Sequence, residues 1–139
     1  MILPNALNHS YFFLRSLKPK PFWGASVNIL KSGTIRVLSV DDDQIAQKTL
    51  SSVMKAIGFE VITCLSATQA IDWLMVSPKP DIVLLDVGLP DMNGVEVAKV
   101  LRSMSDLSDV PILMVSGFNE KGTIVDGLNA GVTDYIIKV

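Results

Sequence analysis

The chain has 139 residues, 49% hydrophobic and 19% charged, so it can build a packed core and is not compositionally disordered. The longest apolar runs, such as Ile82 to Leu85 and Ile112 to Val115, fall far short of the ~20 residues needed to span a bilayer. Charge is uneven, about +5 over residues 1–40 and −7 over residues 41–139, and an acidic domain argues against direct nucleic-acid binding there.

Residues 1–34 are broken by Pro4, Pro19, Pro21, Gly24 and Gly33, carry the apolar patches Tyr11–Phe13 and Phe22–Trp23, and show no period. They read as an irregular N-terminal extension. The match to an organelle-targeting peptide is weak, and Asn8-His9-Ser10 is a glycosylation triplet too short to carry weight. Cys64, the one cysteine, has no internal partner and reads as plain core in a reducing, cytoplasmic setting.

From residue 35 the pattern alternates. Ile35 to Val40 reads as a strand. Gln44 to Ile57 reads as a helix, with Ile45, Thr49, Leu50, Val53, Met54 and Ile57 at helical spacing and Gly58 as its stop. Glu60 to Cys64 is a second strand, and Ser66 with Gln69 forms a capping box for a helix reaching about Val76. Pro78 and Pro80 interrupt the chain before the apolar strand Ile82 to Leu85, of the kind buried on both faces. A loop over Asp86 to Asn93 precedes a helix from about Gly94 to Ser103. Ile112 to Val115 is a fourth strand, Glu120 to Ala130 a helix stopped by Gly131, and Tyr135 to Ile137 a fifth strand. Met54, Met75, Met104 and Met114 sit at core-like positions. The alternation implies an α/β fold with right-handed crossovers and a parallel sheet covered on both faces.

Ligands of such sheets lie beyond the carboxyl ends of the strands. Asp41, Asp42 and Asp43 follow strand one, Asp86 follows strand three, Ser116 and Gly117 follow strand four, and Lys138 follows strand five. Converging carboxylates disfavour joint ionisation unless a cation joins them, and hard oxygen donors suit Mg²⁺. A carboxylate beside Mg²⁺ and an ammonium can attack a phosphoryl group to form an acyl phosphate, with the ion, Lys138 and the Ser116 hydroxyl facing the developing charge. Asp43 reads as a helix cap or first-turn acid.

These stretches resemble the response-regulator receiver family of two-component signalling: Val37-Leu38-Ser39-Val40-Asp41-Asp42-Asp43, Ile82 to Gly94, Pro111 to Gly117, and Asp134 to Lys138. They occur in the family's order, 45 residues separating Asp41 from Asp86, 30 more reaching Ser116 and 22 more Lys138. The resemblance implies a flavodoxin-like three-layer fold with strand order 2-1-3-4-5. It makes Asp86 the phosphorylated aspartate, Asp41 and Asp42 the acidic pair, and the Gly88 carbonyl a further Mg²⁺ ligand. Ser116 and Tyr135 become the switch pair and Lys138 the partner of the phosphoryl oxygens. It implies a regulatory module with self-catalysed phosphotransfer and dephosphorylation. The donor would be a histidine kinase or histidine phosphotransfer protein, since the only histidine, His9, lies outside residues 35–139.

Two rivals are weighed. A haloacid-dehalogenase-like phosphatase needs a second acid two residues after the nucleophile, where Gly88 stands. A degenerate receiver serving only as an interaction module is disfavoured by the intact acids. Two departures from the family also stand out. Val139 replaces the usual proline after Lys138, and a non-proline cis bond would cost ~3 kcal/mol, so a trans bond is expected. The family's fifth helix is missing, which is expected to expose apolar residues of strands one, four and five at a cost of several kcal/mol. The aromatic extension is the expected cover, within the chain or swapped into a homodimer.

Overall fold

The computed structural model describes residues 33–117 and 121–138, with the side chains of Lys121 and Lys138 excluded. The strands are β1 (Arg36–Val40), β2 (Glu60–Cys64), β3 (Ile82–Asp86), β4 (Ile112–Gly117) and β5 (Asp134–Lys138). The helices among the described residues are α1 (Gln44–Ala56), α2 (Ala67–Val76), α3 (Gly94–Ser103) and α4 (Lys121–Ala130), with a 3-10 turn at Ser105–Leu107. All strand pairs are parallel and the order is β2-β1-β3-β4-β5, as expected for the flavodoxin-like fold.

The local signals act as read. Asp43 is the N-cap of α1, its Oδ1 accepting the N–H groups of Ile45 and Ala46 at 3.0 Å. Gly58 follows that helix with φ +95°, a conformation glycine adopts without a Cβ clash. Ser66 Oγ accepts the Gln69 N–H at 3.1 Å, while Gln69 Oε1 reaches back to the Leu65 N–H at 2.6 Å, one residue earlier than the usual capping box. β4 runs two residues past its apolar stretch because Ser116 and Gly117 still pair with Ile137 and Lys138.

Register places two sets of side chains on opposite faces. Leu38, Val40, Val83, Leu85, Ile112 and Met114 belong to the larger core, joined by Ala67, Ala70 and Leu74 of α2 and Val97, Ala98 and Leu101 of α3. Val37, Ile82, Leu84 and Leu113 form a second cluster with Met54 of α1.

The structure corrects two expectations. Ile45 is 78% exposed, because the buried phase of α1 runs through Gln47, Leu50 and Met54, three and four residues apart. Met75 is 72% exposed, one residue past the Ala67–Ala70–Leu74 stripe that faces the sheet. On the face that the missing helix would leave uncovered, Val37, Leu113 and Ile136 are buried and Val115 is half-buried. Val37 and Leu113 cluster with Met54, so α1 supplies cover for the middle of that face. The expectations for residues 1–32 and for the bond into Val139 lie outside the described residues.

Candidate functional site

Four strands end at one rim. β1 runs straight into Asp41 and Asp42, and β3 ends on Asp86 itself. Carboxylate oxygens of Asp41, Asp42 and Asp86 all lie within 4.8 Å of one another, with Asp41 and Asp86 half-buried and Asp42 exposed. Three anions at that separation repel unless a cation joins them, and oxygen donors so placed fit a small hard divalent ion that keeps some of its waters.

The acid-bearing loops are tied down. The Asp41 N–H donates to the Cys64 carbonyl at 3.0 Å, and the Asp43 N–H donates to Asp41 Oδ1 at 3.0 Å. On the other side, the Gly88 N–H donates to Asp86 Oδ1 at 3.0 Å, folding the chain after β3 into a tight turn. The Val87 N–H still pairs with the Val115 carbonyl, so the sheet holds this turn from beneath. Asn93 caps α3 by accepting the Val95 N–H at 2.8 Å. A Cβ at Gly94 would sit 2.7 Å from Val87 Cα and 3.0 Å from the Asp86 carbonyl oxygen. A glycine is therefore needed where α3 passes the phospho-acceptor candidate.

Ser116, near the end of β4, is 1% exposed, and its Oγ has no hydrogen-bond partner among the described residues. A buried hydroxyl normally finds one, and an unmatched hydroxyl is an energetic cost. Tyr135 pairs in register with Met114, two residues before Ser116, so both side chains stand on the α2–α3 face. It is half-buried against the larger core. The main chain of Lys138 lies opposite Gly117 at the same rim, and its side chain is outside the described residues. Of the sequence-predicted set, the structure thus brings Asp41, Asp42, Asp86 and Gly88 together and carries Ser116 and Lys138 to the same edge by their strands.

Sequence reasoning missed three polar side chains. Gln47 is buried and donates to three main-chain carbonyls, of Ser39, Asp41 and Cys64, at 3.0–3.1 Å. Its signal was a lone amide in phase with Leu50 and Met54. Asp91 accepts the N–H groups of Ala67 and Thr68 and the Thr68 hydroxyl, which joins the loop after β3 to the start of α2. Arg102 donates to the carbonyls of Leu107, Val110 and Gly131, a clamp that no local spacing announces.

Comparison with known proteins agrees with this architecture. Residues 37–139 match the model of the response regulator receiver domain. The DNA-binding response regulator MtrA of Mycolicibacterium paratuberculosis is 40% identical over 103 residues, 74% of this chain and 44% of that protein. The response regulator MprA of Mycolicibacterium vanbaalenii is 38% identical over 104 residues, 75% of this chain and 44% of that protein. The chain thus spans less than half the length of these curated relatives. Among solved structures, the chemotaxis response regulator CheY4 of Vibrio cholerae superposes with a TM-score of 0.71 at 28% identity, covering 76% of this chain and 87% of that one.

Proposed function

Since the chain belongs to the response regulator receiver family of two-component systems, we propose that Asp86 is its phospho-acceptor and that Asp41, Asp42, Asp86 and the Gly88 carbonyl hold Mg²⁺ beside it. The observation that carries this reading is the meeting of three carboxylates, from two separate strand ends, within 4.8 Å. When bound, Mg²⁺ supplies charge neutralisation for the phosphoryl oxygens.

The chain's own groups do the rest. The Gly88 N–H holds Asp86 Oδ1, which fixes the orientation of the carboxylate for in-line attack. Attack by an Asp86 oxygen forms an O–P bond as the N–P bond of a donor phosphohistidine breaks, and the proton needed by the leaving imidazole comes from solvent. The donor in this reading is a histidine kinase or a histidine phosphotransfer protein. Water later cleaves the acyl phosphate, returning the carboxylate and inorganic phosphate. This makes the chain a switch with self-catalysed steps.

The unpartnered Ser116 hydroxyl supports a switch role, because a phosphoryl oxygen at Asp86 offers the acceptor it lacks. Tyr135 is proposed to follow that movement, and Lys138 to pair with the phosphoryl group on the strength of its motif position. Burial pushes the Cys64 thiol up, away from the reactive thiolate form, and the location we assign to the chain is cytoplasmic. No helix among the described residues is long and apolar enough to cross a membrane. Residues 1–34 are assigned as an extension separate from the receiver unit.

Beryllofluoride with Mg²⁺, a mimic of the phosphorylated carboxylate, tests the reading by calorimetric titration. Binding that disappears in Asp86→Asn is expected. A chain that binds neither Mg²⁺ nor beryllofluoride would instead be an interaction module that no longer phosphorylates.

A further inference from the structure

Gln47 lies in the second turn of α1, buried to 4% exposure, and spends its whole amide on the framework of the acidic loop. Nε2 reaches the carbonyls of Ser39 at 3.0 Å, Asp41 at 3.1 Å and Cys64 at 3.1 Å. Oε1 accepts the Ser39 hydroxyl at 2.7 Å, and Ser39 is itself buried. The three carbonyls, which can only accept, fix which end of the amide is which, and the Ser39 hydroxyl then serves Oε1 as its donor.

The three carbonyls belong to the end of β1, the first residue after it and the end of β2. The Cys64 carbonyl also accepts the Asp41 N–H. Asp41 is therefore gripped through its N–H by β2, through its carbonyl by Gln47, and through its carboxylate by the Asp43 N–H. Asp43 in turn caps the helix that carries Gln47, and the Gln47 N–H bonds the Asp43 carbonyl at 3.0 Å. The helix and the loop before it thus form one closed hydrogen-bonded unit around Asp41.

We infer that Gln47, braced at Oε1 by the Ser39 hydroxyl, is a positioning residue that sets the place of the Asp41 carboxylate and thereby the affinity of the acidic cluster for Mg²⁺. This rests on the reading of that cluster as a metal site. Buried amides need partners wherever they lie, but this one joins the Asp41 carbonyl to those of Ser39 and Cys64, tying the ligand candidate to the ends of both strands beside it. Supports of this kind commonly change metal affinity by ~10-fold or more when removed.

The test uses the full chain with Mg²⁺ as the probe, followed by calorimetry, together with amide hydrogen exchange of the metal-free protein by NMR. Gln47→Met keeps the volume and removes the donors. Ser39→Ala removes only the bond that braces the amide oxygen. Leu107→Ala, in the 3-10 turn after α3, is the destabilised control. Gln47→Met is expected to weaken Mg²⁺ binding roughly tenfold, Ser39→Ala to weaken it less, and Leu107→Ala to leave it at the wild-type value despite a lower Tm. Faster exchange of the Asp41 and Asp43 amides is expected in Ser39→Ala without metal. Wild-type Mg²⁺ affinity in both site variants would overturn the inference, and if Gln47→Met does not fold, Ser39→Ala alone decides. If the wild-type chain binds no Mg²⁺, the metal reading fails, and unchanged Asp41 and Asp43 exchange in Ser39→Ala then removes the positioning role as well.

Discussion

Thr68 donates both its main-chain N–H and its hydroxyl to Asp91 Oδ2, at 2.9 and 2.6 Å. This pair joins the loop that follows the phospho-acceptor candidate to the N-terminus of α2. The Thr68 hydroxyl above all, then the N–H groups of Thr68 and Ala67, hold the Asp91 carboxyl down at about 2, against an ordinary 3.8. A depressed carboxyl binds a proton less readily in the folded chain than in the unfolded one. Its contribution to stability is therefore complete above 3.8 and is lost as pH falls through about 2. Thermal melts across that interval are expected to fall more steeply for the wild type than for Asp91→Asn. Equal slopes would remove the Asp91 contacts from the account.

Gly94→Ala should destabilise the fold by about 1–3 kcal/mol, because the new Cβ would press on the main chain of Asp86 and Val87 rather than on a side chain able to move. Urea unfolding measures the loss. The same variant should bind Mg²⁺ more weakly, since the strand end carrying Asp86 must shift to make room.

Ser116→Ala should cost little stability, or add up to about 1 kcal/mol, because the hydroxyl is buried without a partner among the described residues. Its phosphorylation by acetyl phosphate should persist, while the chemical-shift response of Tyr135 to beryllofluoride should shrink. A loss of several kcal/mol in urea unfolding would mean that the hydroxyl has a structural partner.

Arg102→Ala should destabilise by about 2–4 kcal/mol, leaving the Leu107, Val110 and Gly131 carbonyls without the guanidinium that now bridges them. Burial lowers the Arg102 pKa, but a guanidinium keeps its charge in proteins, so the loss should be the same at pH 6 and pH 8. Chemical denaturation at the two pH values checks both claims.

Much of the fold was legible because punctuation and period agreed along the chain. Gly58 and Gly131 take positive φ where helices stop, Ser66 caps α2, and the unbroken run Ile82–Leu85 marks a strand buried on both faces. The acidic cluster was legible because parallel strands hand their C-terminal residues to one edge. Ile45 and Met75 were misplaced because hydrophobicity alone does not fix the phase of a short amphipathic helix. In α1 the inward phase is set partly by Gln47, a polar residue that pattern reading assigns to solvent. The contacts of Asp91 with Thr68, 23 residues apart, and of Arg102 with Gly131, 29 apart, depend on tertiary approach and leave no local mark.

The central claim is that Asp86 accepts a phosphoryl group with the help of a cation held among Asp41, Asp42 and Asp86. Intact-mass measurement after incubation with acetyl phosphate, with and without Mg²⁺, tests it most directly. The account predicts the mass gain of a single phosphoryl group that requires Mg²⁺, is absent in Asp86→Asn and is lost on standing as the acyl phosphate hydrolyses. A folded wild-type chain that gains no mass with Mg²⁺ present, or a gain that survives Asp86→Asn, would contradict it.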